Sequence, residues 1–174
     1  MKRGMGLLLG LLLVLGGGAV SWAWWGEVVH VHDGDHLVVE RGGKPTNVRL
    51  YGVDAPEKGQ PYWEEARHLV AYWLLHQRVE VTPVNGGTRG VYGLVRLESG
   101  KELVNKRLVR YGMAWVLGRY TTAGLVKEWK RLENLARANG VGLWADPDPM
   151  PPQEWRLRRL LKQPSVANVG SRGR

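Results

Sequence analysis

Positions 35 to 57 gather the residue types that could do chemistry: Asp35, Arg49, Asp54 and Glu57. Asp35 ends the tight-turn signal Asp33-Gly34-Asp35. The others fall in Arg49-Leu50-Tyr51-Gly52-Val53-Asp54-Ala55-Pro56-Glu57. Carboxylates are the hard oxygen donors that a divalent cation such as calcium takes. Arginine adds a permanently charged planar fork matched to phosphate oxygens. A cation site of oxygens beside a guanidinium suits metal-assisted attack on a phosphodiester.

These four side chains converge only if the chain between them folds back on itself. Residues 36–41 and 46–50 are apolar-rich runs around Gly42-Gly43-Lys44-Pro45, which predicts a hairpin. Residues 27–32 form a strand before it. After it, a helix opens at Pro61, suited to a first turn, and runs to Gln77 with Ala66, Leu69, Val70, Trp73 and Leu74 on one stripe. Residues 78–82 alternate as a fourth strand, residues 85–88 turn the chain, and residues 91–98 make a fifth. A short helix at 103–111 is capped by Gly112. Residues 113–117 are extended. A third helix after Thr122 shows Leu125, Trp129, Leu132, Leu135 and Ala136 on one face and stops at Gly140. Five strands with about three packed helices give an α+β chain, mainly β. The expectation is a small, partly open barrel of the oligonucleotide/oligosaccharide-binding (OB) fold.

The ends read differently. Lys2 and Arg3 precede the apolar run 7–15, and Ser21-Trp22-Ala23 places small residues at −3 and −1 of a cleavage site. Residues 1–23 are therefore expected to be an export signal peptide, giving a secreted or periplasmic protein. The alternative is a retained membrane anchor. Residues 5–25 carry no charge, and Trp22, Trp24 and Trp25 would sit at the interface. Residues 145–174 read as a proline-rich linker, a basic amphipathic stretch at 155–162 and a tail of disordered composition.

With 174 residues, the chain is one domain plus these appendages. Twenty-five lysines and arginines against 16 acids give a formal charge of +9, reduced to +7 without residues 1–23. Such charge favours a polyanionic partner, although a merely solubilising surface would account for it equally. The chain lacks cysteine, so no disulfide or lipoprotein thiol contributes and stability rests on packing.

Taken in order, Asp33-Gly34-Asp35, the segment 49–57, Tyr92-Gly93, the run from Val104-Asn105 to Ala114 and Gly142-Leu143-Trp144 resemble the staphylococcal-nuclease-like (thermonuclease) family across residues 27–144. The resemblance implies a calcium-dependent nuclease acting on DNA and possibly RNA as a monomer, leaving 3′-phosphates. On the family pattern calcium is held by Asp35, Asp54 and the backbone carbonyl of Ala55. Glu57 is then the general base, and Arg49 binds the phosphate. The competing local reading of Arg49 is a cross-strand salt bridge to an acid such as Glu40. Tyr92, Arg119 and Tyr120 match positions near bound nucleotide, where stacking beside a basic groove grips single strands. Filling of barrel edges explains the tyrosines equally well.

One departure is serious. Relatives carry an arginine after Tyr-Gly, and here that position is Leu94. Arg96, on the same strand face, or Arg89 in the loop are the candidate substitutes. Without one the site is expected to be weakened, and the alternative function is an impaired barrel that only binds single-stranded nucleic acid or another polyanion. A second motif, His30-x-His32-x-x-Asp35-His36, is similar to that of zinc hydrolases of the metallo-β-lactamase type. It has one residue too many, which puts Asp35 and His36 out of register.

Overall fold

A computed structural model describes residues 22–87, 90–118 and 123–162. Residues 1–21 of the expected 1–23 export signal therefore lie outside the described residues, as do Arg89, Arg119, Tyr120 and the tail from 163. Strands β1 (Trp24–Asp33), β2 (His36–Arg41), β3 (Lys44–Leu50), β5 (Arg78–Gly87) and β6 (Gly90–Leu97) close a barrel in the order β1-β2-β3-β6-β5. The barrel expected to be partly open is closed, because β1 pairs along β5 from Trp24↔Val81 to Glu27↔Arg78. The only parallel contact among these strands joins β3 to β6 and sets Arg49 beside Tyr92.

Local chemistry explains the strand details. The hairpin pairs His36↔Arg49 through Arg41↔Lys44, its turn made by Gly42 and Gly43 at positive φ. In β1, Val28 opposes Val39 while His30 opposes Val38, so Val29 is an extra, bulged residue. The bulge leaves Val29 exposed and puts Val28 and Val31 in the core. Strands β5 and β6 continue to Gly87↔Gly90, so residues expected as a turn belong to the ladder.

Helix α1 (Trp63–Leu74) packs on β1, burying Ala66, Val70, Trp73 and Leu74. It starts later than expected. Pro61 stays in the preceding turn, and Tyr62 takes a left-handed conformation while packing against the cluster of Trp115, Ala136, Leu143 and Trp144. It also ends earlier, leaving His76 outside the helix at φ 62. Helix α2 (Val104–Arg110) ends at Gly112, whose φ of 65 and crowding against Val141 exclude a side chain. Helix α3 (Ala123–Ala138) buries Trp129 and Ala136, but Leu135 points outward. Strand β7 (Trp115–Val116) pairs with β4 (Val53–Asp54).

The barrel core holds Val28, Leu37, Val39, Val48, Leu50, Val79, Val81 and Val95, with Leu94 partly buried against it. Within the stretch read as linker and basic tail, Pro152–Lys162 forms a fourth helix, α4. Its proline-rich lead-in does not continue a helix; instead it carries α4 to the mouth of the barrel. There Pro152 is buried, and Gln60 Nε2 donates to the Met150 carbonyl at 2.6 Å.

Candidate active site

Asp35 sits in the β1–β2 turn at the barrel mouth. Its carbonyl accepts the Leu50 N–H at 2.8 Å, fixing the turn to the end of β3. Gly34 has no room for a side chain. A Cβ there would lie 2.8 Å from the Ala55 methyl and 3.0 Å from that of Ala66, so the tight turn, the acidic loop and α1 can meet. Arg49, near the end of β3, points the same way, with Nη1 3.8 Å from Asp35 Oδ1. Its register partners are His36 and Tyr92, and no bond to Glu40 is made.

Asp54 lies on β4, directly opposite Trp115. That short strand is held from two sides. The buried Asn105 accepts from the Val95 N–H at 3.0 Å and donates to the carbonyls of Tyr51 (2.9 Å) and Gly93 (3.1 Å), tying β6 to the turn before β4. The buried Glu133 of α3 accepts from the Val116 N–H at 3.1 Å and from Lys130 at 2.5 Å, anchoring β7. Glu57 follows in a loop whose N–H at 57 donates to the buried Gln60 side chain.

Asp35, Arg49, Asp54, Glu57 and Tyr92 line one open cleft of about 620 Å³. Burial pushes the Asp35 carboxyl well above the usual range, helped by Asp33 and Asp54 and opposed by Arg49. Burial also raises Asp54; bonds and charge from Arg156 oppose this and the Glu57 charge adds to it. Burial lowers His36, and the Arg49 charge adds to the effect. Asp35 and Asp54 are thus two buried carboxylates on one cleft. That donor set fits a hard divalent cation completed by a backbone carbonyl and water. Ala55, the expected carbonyl donor, is buried immediately after Asp54 and is not itself among the residues lining the cleft.

The remaining candidates divide. Leu94 packs against the core, opposite Thr82. Arg96 is exposed on β6 opposite Glu80 and is not among the residues lining the cleft. His32 meets His30 edge-on and lies tilted against His36, with ring centroids 4.5 Å apart in each pair. Among the described residues no group of three histidine, aspartate or glutamate side chains could hold a metal, which counts against the zinc motif and leaves a cation in the cleft two carboxylates, Asp35 and Asp54, as its side-chain donors.

The cleft also contains a residue the sequence did not announce. Arg156 of α4 donates from Nη2 to Asp54 Oδ2 at 3.0 Å, and from Nη1 to Asp54 Oδ1 at 3.3 Å and to Glu57 Oε1. Partial burial works against its charge, but these bonds and the carboxylate charges raise its pKa above the usual arginine value. Its signal was hidden by a proline linker that reads as the domain's end. Asn105 lay in plain view inside Val-Asn-x-x-Leu, and Glu133 was an acid at helical spacing with Trp129 and Ala136.

Residues 47–146 match the staphylococcal nuclease homologue family. An uncharacterized endonuclease of Escherichia coli is 37% identical over 135 residues, covering 77% of this chain and 86% of its own length. A micrococcal nuclease of Shigella flexneri is 35% identical over 145 residues, covering 78% and 83% respectively. A thermonuclease of Staphylococcus hyicus is 34% identical over 96 residues, covering 51% and 56%.

Proposed function

This chain belongs to the staphylococcal nuclease homologue family, and from that premise we propose that it is an exported, calcium-dependent nuclease hydrolysing phosphodiester bonds of DNA and possibly RNA. The observation that carries the reading is the shared cleft, where two buried carboxylates, Glu57, Arg49 and Tyr92 face one another. Calcium held by Asp35, Asp54 and the Ala55 carbonyl would polarise the phosphoryl oxygen as a Lewis acid.

The protein's own groups do the rest. Glu57 takes the proton of the attacking water, which an amide could not do. Arg49 lays its fork on the phosphate oxygens and stabilises charge as it builds. Tyr92, half exposed beside Arg49 on the neighbouring strand, offers a ring against which a nucleotide can stack. On β6 itself, Leu94 contributes no charge, and losing one preorganised donor typically costs about 10²–10³ in rate. That position alone predicts a weakened nuclease.

Plasmid degradation with calcium, with chelator, and with zinc added after chelation tests the reading. Cleavage should need calcium, cease on chelation and stay absent with zinc. Calcium-indifferent cleavage, or binding without cleavage, would replace this function with the zinc-hydrolase or the binding-module reading respectively. Export is tested separately, by locating the protein and sequencing its N-terminus for cleavage after Ala23.

A further inference from the structure

Helix α4 carries a second guanidinium into the cleft from outside the matched family region, which ends at residue 146. The helix is seated by several contacts. Gln60 bonds the Met150 carbonyl, Arg159 Nη1 reaches the Lys58 carbonyl at 3.4 Å, and the Trp155 ring lies over Gly59. Barrel strand β6 offers no such charge, since Leu94 is packed and Arg96 lies outside the cleft.

We infer that Arg156 is the second phosphate-binding arginine of this active site, delivered by the C-terminal helix in place of the barrel strand. The inference rests on the nuclease reading above and adds a residue to its site. Arg156 meets the carboxylates end-on, through Nη1 and Nη2. A guanidinium has five N–H donors, and its side-on edge, Nε with the second Nη2 hydrogen, takes part in none of those bonds. That edge is the bidentate face a phosphate accepts. The side chain keeps 42% of its surface exposed and lines the cleft. Arg156 also leaves Glu57 Oε2 unengaged, so holding the base does not block it.

Charge points the same way. With its three carboxylates ionised and Arg49 alone opposing them, a cleft loaded with a divalent cation is neutral overall. Adding Arg156 makes it positive by one charge, and a phosphodiester monoanion restores neutrality. In the cation-free protein the same side chain neutralises Asp54 and Glu57 and keeps their loop in place.

The test uses full-length protein and a nucleoside 3′,5′-bisphosphate, which presents phosphates without a diester to cleave. Its Kd at saturating calcium is measured by calorimetry, alongside the calcium Kd, Tm and kcat/KM on an oligonucleotide. Arg156→Ala should weaken bisphosphate binding by about 10- to 100-fold and lower kcat/KM by about 10²–10³. Arg156→Lys keeps a charge and a bond to the carboxylates while losing the fork, so it should fold and still bind bisphosphate more weakly. Arg158→Ala, on the same helix but paired with Glu154 outside the cleft, should change neither. Unaltered or tighter bisphosphate binding in both Arg156 variants overturns the inference. A tightened calcium Kd with faster cleavage would then mark Arg156 as an inhibitory plug, and a lower Tm alone would mark it as a strut. If wild-type protein neither binds the bisphosphate nor cleaves in calcium, the nuclease reading itself fails and takes this one with it.

Discussion

Asp35 carries the sharpest conflict in the molecule between folding and function. Its carboxyl is buried beside Asp33 and Asp54, and its pKa is raised in the folded state. A raised folded value means the group favours folding at acid pH. That contribution is fully present below the unfolded carboxylate pKa and is lost as pH rises through the folded one. At neutral pH without metal, an ionised Asp35 therefore burdens the fold. Asp35→Asn should raise the Tm in chelator at pH 7–8, and the gain should shrink toward pH 4. Calcium should raise the Tm of wild type but hardly that of the variant. Thermal melts across pH, with and without calcium, check both halves. Glu57 answers a different question: Glu57→Gln should bind nucleotide normally and lose about 10²–10⁴ in kcat if it is the base. The types and spacing of Asp35, Arg49, Asp54 and Glu57 were legible in sequence because each sits where a local turn or hairpin signal places it. Arg156 was not, since neither helix propensity nor spacing says where a helix beyond a proline linker will dock.

Short elements position the site, and buried polar side chains hold them there. Strand β4 has two residues and β7 two, too few to persist without Asn105 and Glu133. Asn105→Ala would leave the buried Val95 N–H without its Asn105 partner and release the Tyr51 carbonyl, while the Gly93 carbonyl keeps the Tyr51 N–H. Such a loss costs about 1–3 kcal/mol, and denaturant melts should find it together with reduced activity from a loosened Asp54. Leu94→Arg probes the opposite trade. Placing a charge where Leu94 packs on the barrel should lower stability by about 1–2 kcal/mol. Its effect on rate should be larger in an Arg156→Ala background than in wild type if one arginine can replace the other, which a double-mutant cycle reads directly. Periodicity found every barrel strand and three helices here, yet missed what single residues decide. Val29 bulges because the ladder demands a kink, and Tyr62 turns left-handed to reach the Trp115–Trp144 cluster. Both are tertiary demands that local propensity does not encode.

At the scale of the whole molecule, a chain of formal charge +9 carries a cleft that is itself crowded with acids. On the proposed function, net positive charge favours encounter with a polyanion, which a bound cation and the arginines would receive. Affinity for a single-stranded oligonucleotide should therefore fall log-linearly with salt, each phosphate contact adding about 0.7 to the slope. Fluorescence anisotropy of Glu57→Gln at several salt concentrations measures it; a flat response would remove the electrostatic account.

The seating of α4 has a further consequence, for how such an enzyme can change over generations. Asp35, Asp54 and Arg49 are woven into turns and strands that also build the barrel, so most changes near them disturb folding. Arg156 stands on a helix that joins the rest through Gln60, Lys58, Gly59 and the acids it serves. Solvent-facing positions of α4, such as Leu157, Leu160 and Leu161, are exposed, where substitutions are cheap for the fold. Shifts in the helix's packing or length would move one guanidinium by small amounts while the barrel stays as it is. A lineage with this arrangement can tune turnover and substrate grip at its periphery, with its stable core left untouched.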